Sequence, residues 1–558
     1  MITNLLGHRT LALFSLAFAP LLVAGCGDDA GNVDAGPPDM ARRIVDLSGT
    51  RSGIGQSCKA GKAPRGTCAG DDAVCLTDGQ LGLNGGYCVQ DCVSTGCPSD
   101  SDCVELAPRF DLCMALCNTD ADCRASEGYV CSDYNVCVPQ LGFYLGSAIR
   151  PGTNAGDACD PSKQTPSASF AANQQLSVLN GSQTTIAVDE VNSAIIVAWV
   201  NLYGAPTVMV ASSQDGGMTF NPPIALPPDN LVDNNDTQSD PVAAVDSTGT
   251  FFVAWTGSGT DPTNVYVARS TDGGLSFPDV FVASPPGESA LDTLSKPSIA
   301  IGPDDTIYVS WTTTTTGQRV VRVVSSADGG ATWTPPADAT PDDSVDHENA
   351  RIAVSSDLSV YATWVEVNGD PNGDAKNEVA IQRLNADLSL HGGRIKVSST
   401  TDTPTLDVPG IAVDGTKVYV IYTSGSPEGQ WDIRAAFSPD SGTTIKPSVK
   451  VNSDMTCATH FHPAVALDAT GVLHVAFYDN RNLDGAVRHT TATATAGGVL
   501  SFKTEDVVND MPFPFTTESG SFDWLGDYLG LWAGQGVYLG WADTRTNDTA
   551  QILFTESQ

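Results

Sequence analysis

A short apolar run closed by an aromatic residue recurs seven times in the C-terminal part of this chain. The copies are Val197-Ala198-Trp199, Val253-Ala254-Trp255, Val309-Ser310-Trp311, Ala362-Thr363-Trp364, Val420-Ile421-Tyr422, Val475-Ala476-Phe477 and Leu539-Gly540-Trp541. Trp199, Trp255 and Trp311 stand 56 residues apart. Before each run comes a strand of small apolar residues, such as Thr185-Ile186-Ala187-Val188-Asp189. After it comes a third strand, such as Val265-Tyr266-Val267-Ala268-Arg269-Ser270. Short strands at a fixed period of this size restrict a chain to a propeller or a solenoid, because each repeat has an apolar face that only its neighbour can cover. Small residues on the first strand suit the crowded axis of a propeller. The aromatic that closes the second strand suits the wider gap between sheets. The expected fold is therefore all-β: a seven-bladed β-propeller over residues 165–558.

The turn after the third strand carries its own repeat. Ser213-Gln214-Asp215-Gly216-Gly217-Met218-Thr219-Phe220 recurs from Ser270 to Phe277 and from Ser326 to Trp333, with a weaker copy from Ser438 to Ile445. Asp387 marks a degraded copy between them. In such a turn the Asp and Ser/Thr side chains bond the backbone, glycine takes positive φ and the last aromatic packs inward. These segments resemble the Asp box, S-x-D-x-G-x-T-[WF], of sialidases and other repeat propellers. The resemblance implies that the boxes are structural, at the periphery of one face, with ligands meeting the opposite face. Sialidase catalytic domains have six blades, so a seventh is a departure.

The chain ends directly after the third strand of the seventh repeat, so that blade needs an outer strand from elsewhere. Residues 169–180, just upstream of the first blade, are the expected donor. Pairing the two ends of the ring in one sheet removes its open edges.

The N-terminal part reads differently. His8 and Arg9 precede an apolar run from Leu11 to Val23, too short for a stable spanning helix, which ends in Val23-Ala24-Gly25-Cys26. This resembles a bacterial lipobox and predicts a signal peptide over 1–26 with lipidation of Cys26, hence membrane attachment through a lipid at the outer membrane or cell surface. Residues 27–57, rich in Gly, Asp and Pro, read as a flexible tether, and 141–164 as a linker. Twelve of the 15 cysteines fall between Cys58 and Cys137, which predicts a small disulfide-rich module over 58–140. Within it, Cys97-Pro98-Ser99-Asp100-Ser101-Asp102-Cys103 recurs as Cys117-Asn118-Thr119-Asp120-Ala121-Asp122-Cys123, resembling cysteine-rich repeats of bacterial surface lipoproteins. Zinc is the rival reading, but the segment has no histidine. Asp100, Asp102, Asp120 and Asp122 fit turn formation better than calcium binding. Cys159 and Cys457 are left to pair with each other or with the module.

Net charge narrows the function. With 65 acidic against 28 basic side chains, the chain carries −37, which excludes nucleic acid and anionic headgroups as partners. The loops expected on the ligand face offer His347, His460, His462, Asp479, Asp523 and Trp524 as ligand-binding candidates. His460 and His462 lie two apart in an extended segment, where both rings would share one side with Asp479 as a third metal ligand. Asp370 and Asp374, with Glu378, form a loop that only partly fits calcium spacing. No cofactor is otherwise implied. Asp479 with Arg481 and Asp543 with Arg545 repeat a D-x-R pattern that reads as a structural ion pair.

The sialidase resemblance implies three arginines on a substrate carboxylate, the first in an Arg-Ile-Pro motif, together with a tyrosine nucleophile paired with a glutamate and an aspartate acid/base. No arginine lies between Arg150 and Arg269, so that motif is absent. Arg351, Arg481 and Arg545, with Tyr528, would have to rebuild the site, or Glu348 and Asp527 would act as paired carboxylates. A lipid-anchored module that binds a glycan or protein without turnover is the favoured expectation. A sialidase-type hydrolase and a purely structural surface protein are the alternatives.

Overall fold

The computed structural model describes residues 73–76, 87–90, 101–107, 110–123, 129–131 and 137–139 of the N-terminal part. It also describes 169–557, apart from 178–180, 203–205, 227–236, 259–262, 286–293, 316–317, 342–344, 368–376, 426–430, 455–457, 481–484, 495–498, 514–524 and 546–549. Among the described residues no helix is long and apolar enough to cross a membrane. Cys26, Cys159, Asp370, Asp374, Cys457, Arg481, Asp523 and Trp524 lie outside them.

The N-terminal part forms three two-stranded antiparallel pairs, Ala73–Leu76 with Tyr87–Gln90, Ser101–Ala107 with Phe110–Ala115, and Tyr129–Cys131 with Cys137–Pro139. A disulfide joins Cys123 to Cys137. Cys117 Sγ lies within 4.8 Å of both sulfurs, but the disulfide leaves neither as a thiolate for zinc. Asp122 accepts bonds from Asn118 N, Thr119 N and Thr119 Oγ1, the turn-forming role expected of it.

The rest is a ring of seven antiparallel sheets. The innermost strands of blades one to seven begin at Gly181, Thr237, Ser295, Asp346, Thr403, His460 and Gly530. Blade seven runs Gly530–Ala533, Val537–Asp543 and Gln551–Glu556, and Gln174–Gln175 supplies its outer strand, with Gln175 opposite Leu553 and Gln174 opposite Phe554. The expected closure is therefore present.

Each repeated aromatic enters a different hydrophobic cluster between two blades. Trp255 packs between blades one and two, Trp311 between two and three, and Trp364 between three and four. Tyr422, Phe477 and Trp541 fill the next three gaps, and Trp199 fills the gap between seven and one. All seven are at most 2% exposed, so the core is distributed around the ring between sheets.

The four S-x-D turns share one bonding scheme. In the second, Ser270 Oγ donates to Asp272 Oδ1, Gly274 N donates to Ser270 Oγ, and Ser276 bonds Asp272 through N and Oγ. The same bonds recur at Asp215, Asp328 and Asp440.

Candidate functional site

The residue before each repeated aromatic pairs with a fixed point on the first strand: Thr185, Val242, Ser298, Arg351, Gly410, Ala464 and Gly530. Two residues ahead of these points stand Gln183, Asp240, Lys296, Asn349, Val408, His462 and Tyr528, one per blade. In five blades the pairing register shifts here. In those same five, Gln183, Asp240, Lys296, Asn349 and His462 have φ between 51° and 58°. Left-handed backbone disfavours residues with a Cβ by roughly 1 kcal/mol each. The recurring bulge aims a polar side chain off the strand, toward the axis.

Contacts among these residues cross the channel. Lys296 Nζ, from blade three, contacts Asp240 Oδ1 at 2.6 Å and also bonds Asp527 Oδ2, from blade seven. Gln183 Nε2 donates to the same two carboxylates, at 2.7 and 2.9 Å. Tyr528 Oη donates to Pro241 O of blade two at 2.9 Å. Arg351, from blade four, lies over the Tyr528 ring at 4.8 Å, while Nη1 donates to Pro297 O and Ala350 O. Blade seven adjoins only blades one and six, so its contacts with two, three and four must span the axis. Nearby, His462 Nδ1 and Asp407 Oδ1 are 2.6 Å apart, and Asn349 Nδ2 donates to Leu406 O.

Electrostatics follow from this packing. Burial works against the Lys296 ammonium, but Asp240 and Asp527 outweigh it and raise its pKa. Burial likewise opposes ionisation of Asp527, yet Lys296 holds it below the usual carboxylate range. Burial, with the Asp240 charge, pushes the Tyr528 phenol well above its ordinary value. Burial also lifts Glu348, more than its 2.8 Å contact with Arg319 Nη1 lowers it.

Arg351, His462, Asp527 and Tyr528 thus meet at the axis, whereas other expected site residues do not join them. His347 is fully buried, edge-on to Trp364, with Nδ1 3.2 Å from Arg319 O of the preceding blade. His460 stands at the equivalent position, edge-on to Phe477, with Nδ1 2.8 Å from Trp431 O of its preceding blade. A neutral or charged imidazole donating to that carbonyl ties one sheet to the next, so the expectation that these two rings face a ligand is corrected. His460 Nε2 sits 3.1 Å from both Asp454 and Asp479, and Asp479 pairs with Arg488 at 2.9 Å. Positive φ at His462 turns its ring to Asp407 instead, so the expected His460–His462 metal pair does not form. Glu378 is bound by Lys396.

Arg545 holds Asp543 through Nε at 3.0 Å and Nη2 at 2.7 Å, and also binds Asp510 and Asn173. It fastens the closing segment and shares no partner with Arg351, so these two arginines do not converge. Sequence reasoning missed Gln183, Asp240, Lys296 and Asp407. One signal was present: proline follows the axial residue in four blades, at Asp240-Pro241, Lys296-Pro297, Val408-Pro409 and His462-Pro463.

The fold and its axial cluster define a seven-bladed β-propeller with a polar, charge-paired channel mouth. No protein-family model matches the chain, and no curated protein matches it. Similar solved structures include a protein of unknown function from Dyadobacter fermentans, 14% identical over 70% of this chain and 98% of that one, with a TM-score of 0.42. A Hadza microbial sialidase is 13% identical over 63% of this chain and 73% of that one, with a TM-score of 0.39. A Penicillium chrysogenum alpha-L-arabinanase complexed with arabinobiose is 13% identical, over 69% and 98%, with a TM-score of 0.38.

Proposed function

We propose that this is a lipid-anchored surface protein, attached through Cys26, whose propeller binds a glycan or protein at the axial cluster without turning it over. The observation that carries the reading is the cross-channel network itself: polar side chains from blades one, three and four converge on Asp527 and Tyr528 of blade seven, and those of Gln183 and Lys296 are held by strained backbone that packing alone does not require. Non-catalysis is supported by Tyr528, whose hydroxyl is committed to a backbone carbonyl and whose phenol is raised, the reverse of an activated nucleophile. The resemblance of the S-x-D turns to Asp boxes is consistent with a glycan as ligand.

One observation favours the hydrolase alternative. Glu348 is shifted up and Asp527 down, the divergence expected of an acid and its partner. A panel of fluorogenic glycosides, sialosides included, run beside a glycan array separates the two. Hydrolysis lost in both Glu348→Gln and Asp527→Asn would overturn the non-catalytic reading; array binding without hydrolysis supports it.

A further inference from the structure

We propose that the His474–His489 pair is an acid-operated latch, and that protonating it frees the closing segment 169–177 from blade seven. The inference is independent of the binding reading above. His474 lies in Leu473–Asp479 and His489 in Ala486–Ala494, neighbouring strands of blade six. Their rings stack with centroids 5.2 Å apart, and His474 Nδ1 is 3.0 Å from His489 Nε2. Phe170, from the closing segment, meets His489 edge-on at 5.6 Å. The pair therefore touches the residue that anchors the segment in the cluster between blades six and seven.

Asp468 fixes the resting protonation. Its Oδ1 accepts from Thr470 N, Thr470 Oγ1 and Val472 N, while Oδ2 faces His474 Nε2 at 3.4 Å. A carboxylate only accepts, so Nε2 carries the His474 proton and Nδ1 accepts from His489 Nε2. An added proton has no stable place. On His474 it enters at Nδ1 and meets the His489 donor head-on. On His489 it charges a ring that is 6% exposed and packed on Phe170. Once the segment leaves, the ring reaches water and takes its proton at an ordinary value. The surrounding charges do little to oppose this. Asp468 and Lys503 act on His474 with opposite sign. Asp506 stands opposite His489 in the strand register, and Glu505 is turned to Ser453. Glu556 of blade seven lies beside Asp215 of blade one, and residues 169–177 carry no titratable side chain. Burial lowers both histidines below 6.5, so the open state binds the extra proton and gains as pH falls below 6.5.

Hydrogen–deuterium exchange of the full-length protein at pH 7.0 and 5.0, corrected for intrinsic rates, tests this. Ala171 N and Leu176 N donate to Glu556 O and Ile552 O of blade seven, so their amides report release directly. Protection of residues 169–177 should fall by about tenfold or more between the two, the effect of one proton taken up on opening. Asn264–Ser270 of blade two should keep its protection. His489→Gln, which cannot be charged, should remove the pH dependence at 169–177. Unchanged protection of 169–177 at pH 5.0 would overturn the proposal, as would an equal loss in blade two. Wild-type pH dependence in His489→Gln would overturn it as well. The wild-type comparison of the two segments decides even where the variant fails to fold.

Discussion

His460 keeps its proton in a site where burial alone would remove it. Hydrogen bonds to Asp454 and Asp479 outweigh burial and raise the imidazole to about 9. Because the folded value exceeds the unfolded 6.5, its contribution is complete below pH 6.5 and is lost as pH rises toward 9. His489 behaves in the opposite sense. Burial, with the His474 ring 3.0 Å away, lowers it to about 3. Below pH 6.5 the unfolded chain binds a proton that folded His489 refuses, so stability falls at up to about 1.4 kcal/mol per pH unit. Urea unfolding at pH 5.5, 7.0 and 8.5 distinguishes them. Relative to wild type, His460→Gln should flatten the loss between 7.0 and 8.5, by roughly 2 kcal/mol. His489→Gln should flatten the loss between 7.0 and 5.5, by about 1 kcal/mol. Parallel profiles for all three proteins would contradict both assignments.

Within the elements, the S-x-D turn does more than reverse the chain. Gly274 has φ +87°, and a Cβ there would lie 2.3 Å from Ile196 Cγ2 of the preceding blade. Gly392, at φ +73°, faces open space. Both glycines need the left-handed region, but only Gly274 also needs the volume. Gly274→Ala should therefore cost about 2–4 kcal/mol and Gly392→Ala about 1, measured by urea unfolding; equal losses would show that the turn does not press on its neighbour. This pairing of motif and packing explains why the blades were legible in the sequence. A repeated aromatic and a repeated turn each satisfy a local need and an inter-blade need, so both leave a periodic trace. The axial cluster leaves almost none. Gln183, Asp240, Lys296, Asn349, His462 and Tyr528 share a position but no chemistry, and the left-handed backbone of the first five is not signalled by glycine. Arg351, Asp527 and Tyr528 were reachable as polar residues in expected loops. Lys296 was not, because its significance lies in carboxylates 56 and 231 residues away in sequence. His347 and His460 misled for the converse reason: polar residues at loop ends can serve as inter-blade ties.

At the scale of the molecule, a propeller is only as stable as the sheet that closes it. Blades one to seven follow one another along the chain, whereas the contact of blade seven with blade one depends on side-chain packing, on the bond from Gly181 N to Ala550 O and on residues 169–177. That segment does three things. Gln174–Gln175 covers the backbone edge of Gln551–Glu556. Phe170 enters the cluster between blades six and seven, edge-on to His489. Asn173 bonds Asp510, Val508 and Arg545, tying blade seven to blade six. Removing the segment exposes a strand edge that can pair with another molecule. A chain beginning at residue 181 should consequently melt well below one beginning at 165 and should self-associate, as read by calorimetry and light scattering. Phe170→Ala in the full chain isolates the packing share: truncating a buried phenylalanine costs about 3–5 kcal/mol where the site cannot collapse, without uncovering the edge. It should lower the melting temperature and leave the protein monomeric. Self-association in Phe170→Ala, or an unchanged melt on truncation to 181, would mean that closure is carried by the blade-seven to blade-one cluster around Trp199 and Ile552.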